Sequence, residues 1–392
     1  MVTIFIENKI LMEETNKNPT DPKDLEKDSE NSSFSSENTP INNPISDITS
    51  TDPDTKNTES KNTAEPITPT TLQRNRLDTT PVLDIAQKIK NELKKVIIGQ
   101  EELVDLLIVA LFTNGHILIE GVPGIAKTLT AKLLSQTLNV DFSRIQFTPD
   151  LMPSDVIGTT VYNMKTSDFV FAEGPVFSNM ILIDEINRAP AKTQAALFEV
   201  MEEHQVTVDG TTYPMSQPFL VMATQNPIEQ EGTYKLPEGQ LDRFIFKANL
   251  QYPHLAEEKQ ILKRFRNDFK MNVQKEVGPV AEPKDIENCR QIVEKVFIKD
   301  ELLDYIATII FTTRYNNDLF LGASPRASLS MMKAAKALAA MSNRDFVTPD
   351  DIQKIAYPVL NHRIILTPER EMEGIETKEV IDSIVKSIEV PR

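Results

Sequence analysis

The sequence contains a single cysteine, Cys289, among its 392 residues. One thiol can form neither an intramolecular disulfide nor a zinc site. Because apolar residues recur around Cys289 at helical spacing, we expect its side chain to fill space on an amphipathic helix rather than act as a nucleophile. The four histidines are scattered along the chain and lack metal-ligand spacing. The sequence therefore favours neither a disulfide scaffold nor a site of clustered histidine and cysteine ligands.

Long apolar runs and an excess of basic residues are also missing. No apolar stretch approaches the roughly 20 residues of a bilayer-spanning helix, and the run Val2–Ile6 lacks the basic start and cleavage site of a signal peptide. We therefore expect a cytoplasmic protein without a membrane span. The net charge is −16, from 42 basic and 58 acidic residues. This balance argues against nucleic acid as the main partner, because contacts to a phosphate backbone need basic residues.

The first 80 residues are rich in Asn, Ser, Thr, Pro, Asp and Glu, and their apolar residues are isolated. Such a segment cannot bury enough apolar surface to offset the entropy lost on ordering. We therefore expect residues 1–80 to form a disordered tail, which is either a passive solubilising extension or a docking segment. Met12 could serve as the translation start as well as Met1.

Apolar strands and helices alternate between residue 82 and Pro253. The predicted strands are Ile117–Ile119, Arg144–Phe147, Met180–Ile183, Phe219–Ala223 and Phe244–Ala248. This alternation predicts a three-layer α/β domain with a mostly parallel sheet. Beyond Pro253 only helical patterns follow, at 255–268, 283–297, 300–313, 325–341, 348–360 and 376–388. We therefore expect an α/β core at 81–253 and a small all-helical domain at 254–392.

A glycine-rich segment follows the first of these strands. It comprises Gly121, Val122, Pro123, Gly124, Ile125, Ala126, Lys127 and Thr128. A strand that enters such a loop and continues as a helix is the context of a phosphate-binding loop, whose N–H groups point at one anion. Lys127 would reach the β- and γ-phosphates, and the Thr128 hydroxyl would bind Mg²⁺. We assign residues 121–129, which include Leu129, to nucleotide binding.

Ala126 stands where the usual motif has glycine directly before the lysine. Alanine fits this position if its φ is negative, and we expect that conformation. The loop alone leaves open an ordinary strand–turn–helix without a ligand.

Two further strands end in polar residues. Met180–Ile183 leads into two acids. Asp184 would hold Mg²⁺ through water, and Glu185 would polarise the attacking water as general base. Acids at the carboxyl ends of parallel strands face the ligand crevice of such sheets. The next strand ends near Asn226, which could orient the same water or contact the γ-phosphate. The alternatives are a solvated strand end for the acids and a simple Asn-Pro turn for Asn226.

Together these elements resemble an AAA+ ATPase, and within that superfamily the MoxR family. The matching stretches are Gly121–Thr128, Gln146–Asp155, Glu173–Phe177, Asp184–Ala189, Ala223–Pro237 and Gly322–Ala327. The resemblance covers residues 85–390 and leaves out the tail. The loop of MoxR proteins often carries alanine at the position of Ala126.

The resemblance implies roles for further residues. Arg243 is similar to the arginine finger that completes the active site of the neighbouring subunit, and Arg326 to the lid sensor that reports the phosphate state. Ile97, Ile98 and Gly99 match the segment that holds adenine, although they could also be core residues. From sequence alone, both arginines could instead be ordinary surface residues.

Two insertions have the alternating pattern of hairpins, at 154–175 and 202–217. The second contains an Asp-Gly pair, which is a strong hairpin signal. In this branch of AAA+ proteins both insertions resemble elements that face a substrate or a pore, and surface decoration is the alternative. The resemblance assigns Glu173 and Arg188 to a subunit interface or to water positioning.

The resemblance implies Mg²⁺-dependent ATP hydrolysis in a ring, expected to be a hexamer. It also implies chaperone-like remodelling or maturation of partner proteins, typically ones with von Willebrand factor A domains. Three alternatives stay open: the motor subunit of a metal chelatase, a helicase-type DNA motor, and a non-catalytic nucleotide switch. The presence of both Asp184 and Glu185 argues against the switch, because a pure binder has no need of a general base.

Overall fold

The computed structural model of the chain describes residues 76–122, 124–226, 234, 236–266 and 273–391. Residues 1–75 of the predicted tail lie outside these ranges, as do Pro123 and most of the matched stretch after Asn226. Within the described ranges, no helix combines the length and the apolar character needed to cross a bilayer.

The elements follow the alternating order that the sequence predicts. The helices are α1 (Thr80–Lys94), α2 (Glu101–Phe112), α3 (Lys127–Thr137), α4 (Pro153–Ile157), α5 (Ala191–Glu203), α6 (Glu238–Leu241), α7 (Leu255–Phe265), α8 (Pro283–Lys295), α9 (Asp300–Tyr315), α10 (Pro325–Met341), α11 (Pro349–Leu360), α12 (Pro368–Met372) and α13 (Thr377–Ser387). The strands are β1 (Ile117–Gly121), β2 (Phe142–Gln146), β3 (Gly158–Asn163), β4 (Asp168–Glu173), β5 (Met180–Asp184), β6 (Gln205–Val208), β7 (Thr211–Pro214), β8 (Leu220–Gln225), β9 (Phe246–Leu250), β10 (Leu319–Leu321) and β11 (Ile365–Leu366).

Five strands form one parallel sheet in the order β2-β5-β8-β1-β9. In its register, Ile117 at the start of β1 pairs with Met222 on β8 and with Phe246 on β9. Because all five strands run in one direction, their last residues share one edge, the carboxyl edge, and their first residues share the opposite amino edge. The predicted parallel α/β fold is confirmed.

Helices cover both faces of the sheet. On β5, Met180 and Leu182 share a buried cluster with α1, α2 and α3, whereas Ile181 and Ile183 share a second cluster with α5. A strand that is buried on both faces carries a continuous apolar run instead of an alternating pattern. This explains the four consecutive apolar residues before Asp184 and gives the core its three layers.

Two of the helices after Pro253, α8 and α10, pack against α1 and α2. Side chains of α8 and α10 join the hydrophobic cluster of these two helices, which continues to the sheet. The predicted boundary between residues 253 and 254 therefore does not separate two hydrophobic cores, and it stays a prediction. β10 and β11 pair as a short antiparallel ladder within this otherwise helical segment, which the sequence pattern did not predict.

The two insertions form the predicted hairpins, β3–β4 and β6–β7. The second turns at Asp209 and Gly210, which both have positive φ, as hairpin turns of type I′ require. The hairpins also contact each other: the ring of Phe171 stacks on Tyr213 with centroids 4.5 Å apart, and Thr160 Oγ1 donates to Asp209 Oδ2 at 2.5 Å. The two insertions are therefore one structural unit.

Candidate nucleotide-binding site

The polar strand ends that the sequence singles out meet at the carboxyl edge. β1 ends at Gly121, β5 ends at Asp184, and β8 ends one residue before Asn226. β8 lies between the other two strands, and neighbouring strands are separated by about 4.8 Å. The strand that leads into the glycine-rich loop and the strand of Asp184 are therefore about 10 Å apart, with the strand of Asn226 between them.

The glycine-rich loop turns sharply before α3. Gly124 has φ +86°, a conformation that favours glycine, and Ala126 has φ +60°. The expectation of a negative φ at Ala126 was wrong. Ala126 is the residue that precedes α3, and its carbonyl accepts the Thr130 N–H at 2.9 Å. Its left-handed backbone turns the chain from the loop into the helix, at a cost of about 1–2 kcal/mol for a residue with a Cβ.

Lys127 begins α3 and folds back on the loop. Its Nζ donates to the Gly121 carbonyl at 2.6 Å. Burial lowers the pKa of Lys127, and the carboxylates of Asp184, Glu185 and Glu120 oppose that shift. The ammonium group is therefore held between the loop and the acids at the carboxyl edge, where an anion would meet it.

A cavity of about 440 Å³ adjoins the loop. Its lining includes seven of the predicted nucleotide-binding residues: Ile97, Ile98, Gly99, Gly124, Ile125, Ala126 and Leu129. Apolar side chains of α7 form another wall, so the cavity offers an apolar slot beside the glycine-rich loop. A second cavity of about 750 Å³ lies between β9 and the helices α11 and α13, and none of its lining residues belongs to the described part of the loop. The smaller cavity is therefore the candidate site for a nucleotide base.

The Asp184 carboxylate is fixed by two donors and is only 9% exposed. Its Oδ2 accepts from Arg144 Nε at 2.6 Å, and its Oδ1 accepts from Thr224 Oγ1 at 3.3 Å. The same Thr224 hydroxyl accepts the Glu185 N–H at 3.1 Å. One threonine on β8 therefore holds both the acid and the backbone that follows it.

Glu185 has φ +59° and begins the turn after β5. Its Oε2 accepts from Gln146 Nε2 at 2.9 Å and pairs with Arg188 Nε, also at 2.9 Å. These two partners hold the carboxylate beside Asp184 at the carboxyl edge. Arg188, which the resemblance assigned to an interface or to water positioning, lies beside the Glu185 carboxylate of its own chain, and its role stays a prediction.

The donor set fits a magnesium ion. Thr128 and Asp184 offer a hydroxyl and a carboxylate oxygen, and Mg²⁺ prefers one or two hard protein oxygens together with phosphates and water. The second residue of α3 and the last residue of β5 are both at the carboxyl edge.

Arg243 and Arg326 lie together, and the carboxylate of Glu202 binds both. Glu202 Oε2 pairs with Arg243 Nη1, and Glu202 Oε1 pairs with Arg326 Nη2. Arg243 Nη1 also donates to the Phe198 carbonyl at 3.0 Å. The three charged side chains line a cavity of about 210 Å³. The predicted finger Arg243 and the predicted sensor Arg326 therefore lie side by side, and we call these two residues the arginine pair.

The arginine pair lies at the amino edge, away from the glycine-rich loop of the same chain. His204, two residues after Glu202, has its ring centroid 6.0 Å from that of His116, which directly precedes β1. Arg243 precedes β9, whose first residue is level with the start of β1. The five residues of β1 up to Gly121 span about 13 Å. The sheet thus separates the arginine pair from the candidate nucleotide site of its own subunit.

Four residues of this arrangement were not singled out from the sequence: Arg144, Gln146, Thr224 and Glu202. The first two are polar, two positions apart on a predicted strand, and that spacing on one face could have indicated them. Glu202 gave no local signal, because its partners Arg243 and Arg326 are 41 and 124 residues away along the chain.

Two family models match the chain. One describes an ATPase family associated with various cellular activities (AAA) and matches residues 116–246, and the other describes an AAA lid domain and matches residues 312–384. The first match contains the glycine-rich loop, both acids and Arg243, and the second contains Arg326.

Several known proteins are similar over most of their length. Protein YeaC of Bacillus subtilis is 44% identical over 304 residues, which cover 78% of this chain and 94% of YeaC. The chaperone MoxR1 of Mycobacterium tuberculosis is 43% identical over 311 residues, covering 77% of this chain and 81% of MoxR1. The crystal structure of a candidate ATPase from Cytophaga hutchinsonii has 45% identity and a TM-score of 0.74, covering 80% of this chain and 98% of that one.

Proposed function

The chain belongs to the MoxR family of AAA+ ATPases, and we propose that it hydrolyses Mg²⁺-bound ATP between the subunits of a ring, expected to be a hexamer. Its enzymatic activity is the hydrolysis of ATP to ADP and phosphate. The observation that supports assembly into a ring is that the sheet separates the arginine pair from the glycine-rich loop of the same chain. A subunit that cannot bring its own arginines to its own nucleotide needs a neighbour.

Binding of ATP uses the apolar cavity and the loop. The base enters between Ile97, Ile98 and α7, and the phosphates lie against the N–H groups of the loop and the first turn of α3. Lys127 exchanges the Gly121 carbonyl for phosphate oxygens. Burial lowers the pKa of Lys127. A phosphate dianion beside the ammonium group opposes this shift, because it stabilises the charged form of the lysine.

Hydrolysis places three groups around the γ-phosphate. Thr128 and Asp184 hold the Mg²⁺, which neutralises charge on the phosphates. Glu185, held by Gln146, takes the proton of the attacking water. Asn226 follows the strand between the loop and the acids, a position that supports its role in orienting that water.

Charge that develops on the γ-phosphate is stabilised by the arginine pair of the next subunit. An arginine supplied in this way contributes about 10³–10⁵ to kcat in related phosphoryl transfers. Arg326 is on α10, so its contact with the nucleotide of a neighbour would transmit the phosphate state to the helical segment 254–392. We propose that this segment is the lid and that residues 81–253 are the catalytic core.

The chaperone name of a 43%-identical relative supports a chaperone-like role. The β3–β4 hairpin supports it too, because several of its apolar side chains are exposed: Val161, Tyr162, Met164, Phe169 and Val170. An exposed apolar patch of this kind is a candidate contact for a client protein. We propose that the paired hairpins face the client and that the clients are von Willebrand factor A domain proteins in the cytoplasm.

Capture of clients tests this assignment. The Glu185→Gln variant should keep ATP bound, and its partners can be isolated from native lysate and identified by mass spectrometry. Enrichment of a von Willebrand factor A protein supports the maturation role. Enrichment of tetrapyrrole enzymes would instead assign the ATPase to a metal chelatase. Enrichment of DNA-bound factors would assign it to DNA translocation.

Complementation in mixed rings tests whether two neighbouring subunits share each active site, which we call the shared site. One subunit carries Lys127→Ala and keeps its arginines, and we call it the arginine donor. The other carries Arg243→Ala and keeps its loop, and we call it the nucleotide holder. Each alone should be inactive, and their mixture should regain ATPase activity at interfaces where a holder meets a donor. Absence of activity at every mixing ratio, in rings shown by sedimentation to contain both, would contradict the shared site.

A further inference from the structure

Glu202 joins two arginines from different parts of the fold. Arg243 is in the segment between α6 and β9 of the core, and Arg326 is the second residue of α10. One carboxylate oxygen of Glu202 binds each guanidinium group. A single side chain on α5 therefore bridges the core to the helical segment at the amino edge.

The two arginines depend unequally on this carboxylate. Arg243 has a second anchor in the Phe198 carbonyl. Over the ranges that the structure covers, the guanidinium of Arg326 has Glu202 as its single hydrogen-bonding partner. The cavity beside the pair is also lined by Lys333, which adds positive charge. Without Glu202, Arg326 would be both untethered and repelled from Arg243.

The position of Glu202 is unfavourable for the helix that carries it. Glu202 lies in the last turn of α5, next to Glu203, and that turn contains no basic residue. A carboxylate near a helix C-terminus is repelled by the negative end of the helix dipole. The helix itself thus gives no reason for an acid here, whereas the two arginines do.

We propose that Glu202 is a positioning residue that holds Arg243 and Arg326 side by side, so that both reach the γ-phosphate bound in the neighbouring subunit. This inference rests on the proposed shared site. Two guanidinium groups and one carboxylate leave a net positive charge beside an open cavity, and a phosphate group is the anion that complements it. Glu202 sets the spacing and direction of the pair, and the phosphate supplies the remaining counter-charge.

The mixed rings of arginine donor and nucleotide holder locate the effect of Glu202. Glu202→Gln on the donor should lower the kcat of the mixture by about tenfold to a hundredfold, because small misplacements of a catalytic group have effects of this size. The same substitution on the holder should cost far less, since that subunit already lacks Arg243 and its remaining arginine completes no active site. The KM for ATP should change little in either case, because the holder's loop and cavity are intact.

Two further variants distinguish positioning from general damage. Glu203→Gln removes the same charge from the adjacent position, which makes no ion pair within the described part of the chain, and should leave the donor fully competent. Glu202→Asp on the donor keeps the carboxylate and should restore part of the lost kcat. Thermal unfolding and sedimentation of each variant verify folding and ring assembly.

The outcomes separate the two proposals. A mixture without Glu202 variants that fails to regain activity overturns the shared site and this inference with it. A mixture that regains activity but loses it equally when Glu202→Gln is on the donor or the holder overturns the positioning role alone. A Glu203→Gln donor as impaired as Glu202→Gln would also overturn it, because charge rather than contact would then be responsible.

Discussion

Arg363 is buried against Asp242, with its Nε donating to Asp242 Oδ1 at 2.7 Å, although 121 residues separate the two in sequence. The side chain of Arg363 is 1% exposed. Its other nitrogens donate to the carbonyls of Asp242, Phe244, Ile245 and Val359, at 2.6 to 3.2 Å. Asp242 also accepts from Ser324 Oγ, which caps α10. This arrangement fixes the segment that carries Arg243 to the end of α11 and to the start of α10, which carries Arg326.

Arg363→Met should lower the free energy of unfolding by about 3–5 kcal/mol, because it leaves the Asp242 carboxylate and several carbonyls without their donor. Arg363→Lys should recover little, since an ammonium group cannot reproduce the planar fork of five donors. Urea unfolding at pH 7 measures both values. Arg370→Met is the matched control: its ion pairs with Asp318 and Glu373 are partly exposed to solvent, and the loss should be at most about 1 kcal/mol. A loss at Arg363 no larger than at Arg370 would contradict the structural role.

Glu185→Gln should lower kcat by about 10²–10⁴ while ATP binding and ring assembly persist. The amide cannot take a proton from water, but it can still accept a hydrogen bond in the place of the carboxylate. Single-turnover hydrolysis and equilibrium binding of ATP separate the two effects. Hydrolysis at the unmodified rate would remove Glu185 from the role of general base.

Gln146→Ala tests whether the Gln146 contact holds that base in place. The variant loses the hydrogen bond from Gln146 to Glu185 but keeps the ion pair with Arg188, and it should lower kcat less than Glu185→Gln does, with the KM for ATP nearly unchanged. Because Gln146 is exposed at the end of β2, folding should be unaffected, which thermal unfolding checks. A larger loss of ATP affinity than of kcat would indicate that Gln146 acts on the nucleotide instead.

The sequence predicted the strands of the sheet and the candidate ATP site because both depend on local patterns. Buried strands flanked by helices leave continuous apolar runs, and the loop and the acids follow directly after such runs. The predicted strand Phe244–Ala248 shows the limit, since β9 begins only at Phe246. The carbonyls of Phe244 and Ile245 accept from Arg363, and no spacing within that segment could reveal a partner so far along the chain.

The arginine pair shows the same limit at the candidate site. The resemblance implied Arg243 and Arg326 one at a time, as a finger and as a lid sensor. Their common partner Glu202 becomes evident only when α5, β9 and α10 meet at the amino edge. Ala126 shows a second limit, because its left-handed backbone is imposed by the turn into α3 and not by its own preference.

Ala126→Gly should raise the free energy of unfolding by about 0.5–1 kcal/mol. The substitution removes the left-handed cost of alanine, about 1–2 kcal/mol, and adds the entropic cost of glycine, about 0.5–1 kcal/mol. Gly124→Ala is the inverse control: apart from its two chain neighbours, a Cβ there would meet no atom of the described residues within 4 Å, so we attribute any destabilisation to its φ of +86°. Urea midpoints of the two variants should move in opposite directions, and a shift of both in the same direction would contradict the backbone argument.

His116 should make the fold sensitive to acid. Its Nδ1 accepts the Val221 N–H at 3.1 Å, and its Nε2 lies 3.0 Å from the Met201 carbonyl, which together require the neutral ring with its proton on Nε2. Burial lowers the pKa of His116 from 6.5 to about 4. His116 therefore binds a proton below about pH 6.5 in the unfolded chain but only below about pH 4 in the folded chain. The free energy of unfolding therefore falls as the pH is lowered from 6.5 to 4. Above pH 6.5 the group contributes no pH dependence.

The expected slope is at most about 1.4 kcal/mol per pH unit, or about 3 kcal/mol in total by pH 4. Urea unfolding at pH 7, 6 and 5 should show this loss, and His116→Gln should show a shallower one, because glutamine can offer the same acceptor and donor but does not titrate. His254→Gln, at an exposed position, should keep the slope of the unmodified protein. If the free energies of unfolding of His116→Gln and of the unmodified protein fall in parallel between pH 7 and 5, His116 takes no part in acid destabilisation.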